Sequence, residues 1–116
     1  MKYFILLAAD PAAEPAPGTP EFDLMMEEYY SLEERLKDIA TVLSGEALEP
    51  AETSKSVRKR NGTIERLDGP FAETREQLGG YYLIEAADLD AAMAFAAEIP
   101  AARYGTVEVR PVLSYA

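Results

Sequence analysis

Apolar residues fall into short alternating or continuous runs and two stretches spaced by three and four, a mixture that predicts both strands and helices. The run Lys2-Tyr3-Phe4-Ile5-Leu6-Leu7-Ala8-Ala9 is rich in β-forming residues and stops at Asp10-Pro11. A basic residue ahead of an apolar run has the outline of a secretory leader, but about seven apolar residues is the bottom of that range. A buried first strand is the expectation. Four of the eight prolines (Pro11, Pro15, Pro17 and Pro20) then crowd residues 10–20, predicting an extended loop. Its end reads as a helix start, with Thr19 as N-cap, Pro20 in the first turn and Glu21 and Asp23 at the positive end of the dipole. Phe22, Met25, Met26, Tyr29, Leu32, Leu36 and Ile39 make one apolar stripe, which predicts a helix over about 20–40.

Thr41–Leu48 reads as a strand kinked or bulged at Gly45 and stopped near Pro50. Within 54–68, two strand-like runs flank Asn61-Gly62, the pair that a type I′ hairpin turn demands. A two-residue loop sets Arg60 opposite Thr63, Lys59 opposite Ile64, Arg58 opposite Glu65 and Val57 opposite Arg66. Residues 72–78 read as short helix or irregular chain broken at Gly79-Gly80, before a strand at Tyr81–Ala86. Asp88 caps a second helix with Leu89, Ala92, Met93 and Ala96 as its buried stripe, closed before Pro100. Thr106–Arg110 alternates strictly and predicts a half-buried strand.

The order is β-α-β, hairpin, β-α-β. It predicts one α+β domain over 1–116, a ferredoxin-like antiparallel sheet with two helices on one face. Tyr3, Ile5 and Leu7 point to one face of the first strand, and Phe4, Leu6 and Ala8 to the other. Two helices shelter one face only, so the second is an apolar patch that favours a homodimer with its sheets packed together. The alternative is that segment 50–79 folds back over that face.

Composition narrows the chemistry. The chain of 116 residues has no Cys, which excludes disulfides, thiol catalysis and Cys-ligated metals. It has no His, which removes the commonest metal ligand and the usual general base. No metal or cofactor is expected. With 21 acidic against 11 basic residues the charge is −10, a surface that repels phosphate backbones and argues against nucleic acid as a partner. No stretch approaches the about 20 apolar residues of a membrane span, so a cytoplasmic protein is the default.

Residues 68–85, Asp-Gly-Pro-Phe-Ala-Glu-Thr-Arg-Glu-Gln-Leu-Gly-Gly-Tyr-Tyr-Leu-Ile-Glu, resemble the signature of the DGPF subgroup of YCII-related proteins. Lys2-Tyr3, Gly45–Pro50, Asp88–Ala92 and Val107–Val112 extend the resemblance over nearly the whole chain. It implies a ferredoxin-like fold of the dimeric α/β-barrel type, bacterial origin and frequent encoding beside extracytoplasmic-function sigma factors. It also implies an enzymatic role through a His–Asp pair in some relatives. That dyad does not carry over, because this chain has no histidine. Where a helix-ending Gly is expected near position 40, Ala40 stands instead.

Asp68 is the leading catalytic candidate, as a general base or polar anchor at a cavity mouth. Its plainer role is to accept backbone donors in the Gly69-Pro70 turn. Glu73 is its candidate partner, since paired carboxylates raise one pKa or hold a hard cation, although Glu73, Arg75 and Glu76 also read as a solvated face. Phe71, Tyr81 and Arg110 are candidate ligand contacts. Tyr81 and Tyr82 point to opposite faces of their strand, so one of them sees a pocket. Glu108 and Arg110 share the face opposite Val107 and Val109. Arg58, Lys59, Arg60 and Arg66 form the basic cluster of the hairpin and read as edge protection or as a docking surface for an acidic partner. Two functional readings follow. One is a homodimer holding a small organic molecule near the DGPF motif, with acid–base chemistry at Asp68. The other is a non-catalytic accessory protein that works with a sigma-factor system through protein contacts.

Overall fold

The computed structural model describes residues 1–114. In chain order the elements are β1 (Lys2–Ala9), α1 (Pro20–Arg35), β2 (Ala40–Ala47), β3 (Lys55–Arg60), β4 (Thr63–Asp68), β5 (Gln77–Ala86), α2 (Leu89–Ala97), α3 (Ala101–Tyr104) and β6 (Gly105–Pro111). Four strands form one antiparallel sheet in the order β2-β5-β1-β6, while β3 and β4 pair only with each other. This is the ferredoxin-like α+β arrangement, with a hairpin arm inserted between its second and third sheet strands. None of the described helices is long and apolar enough to cross a membrane.

The alternation along β1 decides which side becomes the core. Tyr3, Ile5, Leu7 and Ala9 are buried, and the first three pack with Leu32 of α1, Leu36 just past its end, Ile84 and Ala86 of β5, and Phe95 of α2. Phe95 closes edge-on against Tyr82, with ring centroids 5.8 Å apart. Val107 and Val109 pack against the same cluster. On the opposite face Phe4, Leu6, Tyr81 and Leu83 stay half-buried, with Phe4 and Tyr81 stacked at 5.2 Å.

The helix starts are those the sequence predicts. Thr19 accepts from the Phe22 N–H at 3.2 Å and Asp88 from the Ala91 N–H at 2.9 Å. Several expectations are corrected. Helix α1 ends at Arg35, with Leu36 as its cap, so Ala40 opens β2 and caps nothing. The bulge in β2 falls between Val42 and Ser44, where pairing with β5 shifts. Gly45 instead makes room for the Tyr82 ring, because a Cβ there would lie 2.6 Å from Tyr82 Cδ1. Gly79-Gly80 does not precede a strand but lies inside one, and the shift between Leu7 and Ala8 is taken up at Gly79. In α2 the buried positions are Ala92, Phe95 and Ala96, whereas Leu89 and Met93 are exposed. A short helix, α3, adds a piece the sequence did not signal.

The arm has the predicted register, from Arg60↔Thr63 to Val57↔Arg66. Asn61 and Gly62 both have positive φ, at 50° and 78°. Segment 50–79 does not cover the open face as a layer. The chain is a slab 18 Å thick, which is a sheet with one helical layer, and another layer would add about 10 Å. Its radius of gyration of 16.2 Å exceeds the about 13 Å of a compact domain this size, because the arm projects.

At the β1–β6 seam a Cβ on Gly105 would stand 2.1 Å from the Ala8 carbonyl oxygen and 2.6 Å from Ala9 Cα, both rigid backbone. Gly105→Ala is expected to lower unfolding free energy by about 3 kcal/mol, read from the denaturation midpoint at unchanged slope. Gly79→Ala, which meets nothing within 4 Å, is expected to stay within about 0.5 kcal/mol of the parent.

Candidate ligand-binding site

Two cavities open at the same end of the sheet, one on each face. The helix-side cavity, of about 410 Å³, is bounded by Leu7 and Ala9 of β1, Phe22 and Tyr29 of α1, Ala101 of α3 and Glu14 of the proline-rich segment. The open-face cavity, of about 920 Å³, is bounded by Leu6, Phe71, Glu73, Leu78, Thr106 and Glu108, among others. Ala8, Leu48, Glu49, Ala51, Gln77 and Leu78 line both, so a single rim divides them.

Local sequence explains the smaller cavity. Asp10 Oδ1 accepts from the Ala12 N–H and its carbonyl from the Ala13 N–H, each at 2.9 Å, which turns the chain as it leaves β1. A second turn closes at Thr19 N–H to the Ala16 carbonyl, with Gly18 at φ 89°. Glu14 hangs between these turns at the cavity wall. Tyr29 comes from the core-facing stripe of α1, one residue after Glu28. Both oxygens of Glu28 accept from the Arg103 guanidinium at 2.8 Å, a bidentate pair that ties α1 to α3 and holds the Glu28 carboxyl below its usual range. The clamp therefore fixes the two elements that present Tyr29 and Ala101.

Withdrawal from water sets the protonation behaviour here. Burial raises the Glu14 carboxyl above its ordinary 4.5. The Tyr29 phenol is pushed up to about 12, by burial first and then by Tyr82 and Glu14 nearby. Tyr82, under α2, is raised by burial and then by Glu33. A carboxyl and a phenol facing one largely apolar hollow are a base and a neutral hydrogen-bond donor.

The residues singled out from sequence separate. Phe71 and Glu73 reach the open-face cavity, and Phe71 is 78% exposed, so it is no part of the chain's own core. Tyr81 lies on that face against Phe4. Arg110 donates to Glu108 at 2.5 Å on the same face, opposite Val107 and Val109 as the alternation predicts. Asp68 lines neither cavity: it ends β4, faces solvent and accepts from Lys55 Nζ at 2.8 Å. Arg75 approaches Asp10 at 4.0 Å. Glu14 and Tyr29 were not singled out. The signals were a lone acid in an Ala/Pro tract and a phenol on a core-facing stripe, where a polar tip needs a partner or a hollow.

A family model for the YCII-related domain matches residues 1–116. An uncharacterized protein of Rhizobium meliloti (strain 1021) is 32% identical over 117 residues, covering 99% of this chain and 94% of its own length. Among solved structures, 5-chloro-2-hydroxyhydroquinone dehydrochlorinase of Burkholderia phenoliruptrix, in complex with 2,5-dihydroxybenzoquinone, aligns with a TM-score of 0.50 at 15% identity. That alignment covers 97% of this chain and 94% of the dehydrochlorinase chain, and at such identity the likeness is one of fold.

Because folding raises the Glu14 pKa, the native state favours the protonated carboxyl. Its stabilising share is complete below 4.5 and is lost as pH rises through the raised value. Glu14→Gln is therefore expected to melt higher than the parent at neutral pH, with the gap closing under acid. Paired melting curves across that range check it.

Proposed function

The chain belongs to the YCII-related domain family, and on that premise we propose that it is a homodimer binding a small, mostly apolar organic molecule in its helix-side cavity. The observation that carries this reading is the placing of Glu14 and Tyr29, both partly withdrawn from water, on the wall of one apolar hollow. Its about 410 Å³ suits a ligand of a ring or two. Tyr29 is a phenol at any physiological pH and donates to a ligand oxygen. Glu14 accepts a proton from an acidic O–H or C–H of the ligand, while the Tyr29 O–H supports the oxygen on which negative charge develops. The 2,5-dihydroxybenzoquinone of the structural neighbour is a small oxygenated ring of this kind, which supports the class of ligand.

Dimerisation rests on the uncovered sheet face. Phe4, Leu6, Tyr81 and Leu83 lie on it, and a second sheet packed about 10 Å away would bury them and close the open-face cavity. Phe71 and Glu73 then have their role at that closed cavity, with Arg110 beside it through Glu108, and not at the acid–base pair. Sedimentation at micromolar concentration is expected to give a dimer, and a strict monomer would refute the assembly.

Thermal-shift screening with small hydroxylated aromatics and quinones is expected to raise the melting temperature, as native-state ligands do. For a molecule so found, Tyr29→Phe and Glu14→Gln are each expected to weaken binding about tenfold by calorimetry. Asp68→Asn is expected to bind as the parent does. Parental affinity in both cavity variants, or loss in the Asp68 variant alone, would move the site away from this cavity.

A further inference from the structure

The strands of the hairpin arm line neither cavity. An isolated two-stranded hairpin is marginal in water, yet this one carries no packed layer of its own. All six residues of β4 are exposed, as are five of the six in β3. Val57 is 68% and Ile64 58% exposed, and the register puts both on one face with Lys59 and Arg66, and with Lys55 paired to Asp68 at its far end. Two bare β-branched side chains flanked by the cations Lys59 and Arg66 form a surface that lacks its counterpart.

Charge says what the counterpart is. Lys55, Arg58, Lys59, Arg60 and Arg66 against Glu65 and Asp68 give the arm +3, which leaves −13 on the rest of a −10 chain. The body of this protein is thus the opposite of its own arm. The arm does not lie on that body: its strands pair only with each other, and it projects from the sheet. It lies within the same 18 Å slab as the sheet, extending it sideways rather than covering a face.

We propose that the arm, residues 55–68, docks on the acidic body of a second copy of this chain, with Val57 and Ile64 at the centre of the contact and Lys59 and Arg66 around them. This rests on the homodimer reading and adds the interaction that steers it. It also bears on the open-face cavity. Gly69 N–H donates to the Ser54 carbonyl at 2.7 Å, and Ser56 Oγ donates to the Gly69 carbonyl at 2.8 Å. The arm's base is therefore closed at Gly69, the residue before the 70–74 wall of that cavity, so gripping the second copy steadies the point from which that wall starts.

The test is sedimentation equilibrium of the full chain as NaCl is raised, for the parent, Lys59→Glu/Arg66→Glu, and Val57→Ser/Ile64→Ser, each checked for an unchanged melting temperature. Both variants are expected to raise the dimer dissociation constant at least about tenfold. The parent dimer is expected to weaken with salt and the charge variant to lose that dependence. Variants that dimerise with parental affinity and salt dependence overturn the proposal while leaving the sheet-packed dimer standing. A monomeric parent overturns both. Unchanged dimerisation with loss of low-salt binding to duplex DNA overturns it in favour of a nucleic-acid surface.

Discussion

The structure is governed by how little helix the chain has to lay on its sheet. The ten residues of β5 extend about 33 Å, while the sixteen of α1 and nine of α2 reach about 24 Å and 14 Å. One face can be sheltered, and even that face is not sheltered along its length. The core of Tyr3, Ile5, Leu32, Ile84 and Phe95 forms where the layers overlap. Past the overlap, a proline-rich segment and the four residues of α3 fill in as a partial roof, and the helix-side cavity is what they leave. The other face is open because no element remains to cover it.

The same shortage explains the electrostatics. A carboxyl on a fully packed surface or in open solvent would keep its ordinary behaviour, whereas Glu14 sits in a gap that is neither. Tyr29, borne by a helix made for the core, ends its ring at the edge of the packed region. The Glu28–Arg103 pair matters for that reason: it braces the roof where apolar packing has run out. Its guanidinium also lies 5.4 Å from the Tyr104 ring centre, which settles α3 against its own ion pair.

Much of the fold was legible because the deciding signals are local. Thr19-Pro20 and Asp88 cap the helices they announce, and Asn61-Gly62 fixes the arm's register through a turn few other pairs can adopt. The misreadings share a cause. Gly79-Gly80 looks like a break, but β5 is held between β2 and β1, and ladders on both sides outweigh the weak propensity of two glycines. The bulge in β2 is set by its pairing with β5, so nothing at Leu43 announces it. In α2, spacing allowed Leu89 and Met93 to point inward, and the position of Tyr82 across the core selected Phe95 instead. The candidate site was the least legible. Asp68 and Glu73 stood out because they are close in sequence, while Glu14 and Tyr29 meet only after a loop and a helix fold over the same edge.

The materials on the two sides of the cavity differ in stiffness. Proline at positions 11, 15 and 17 leaves the roof segment few shapes to explore, so its ordered form gives up little freedom. Across the hollow, Gly79 marks a slipped rung of the ladder, with empty space where a side chain would be. A molecule entering the cavity would therefore meet one wall of fixed contour and, at Gly79, one with room to spare.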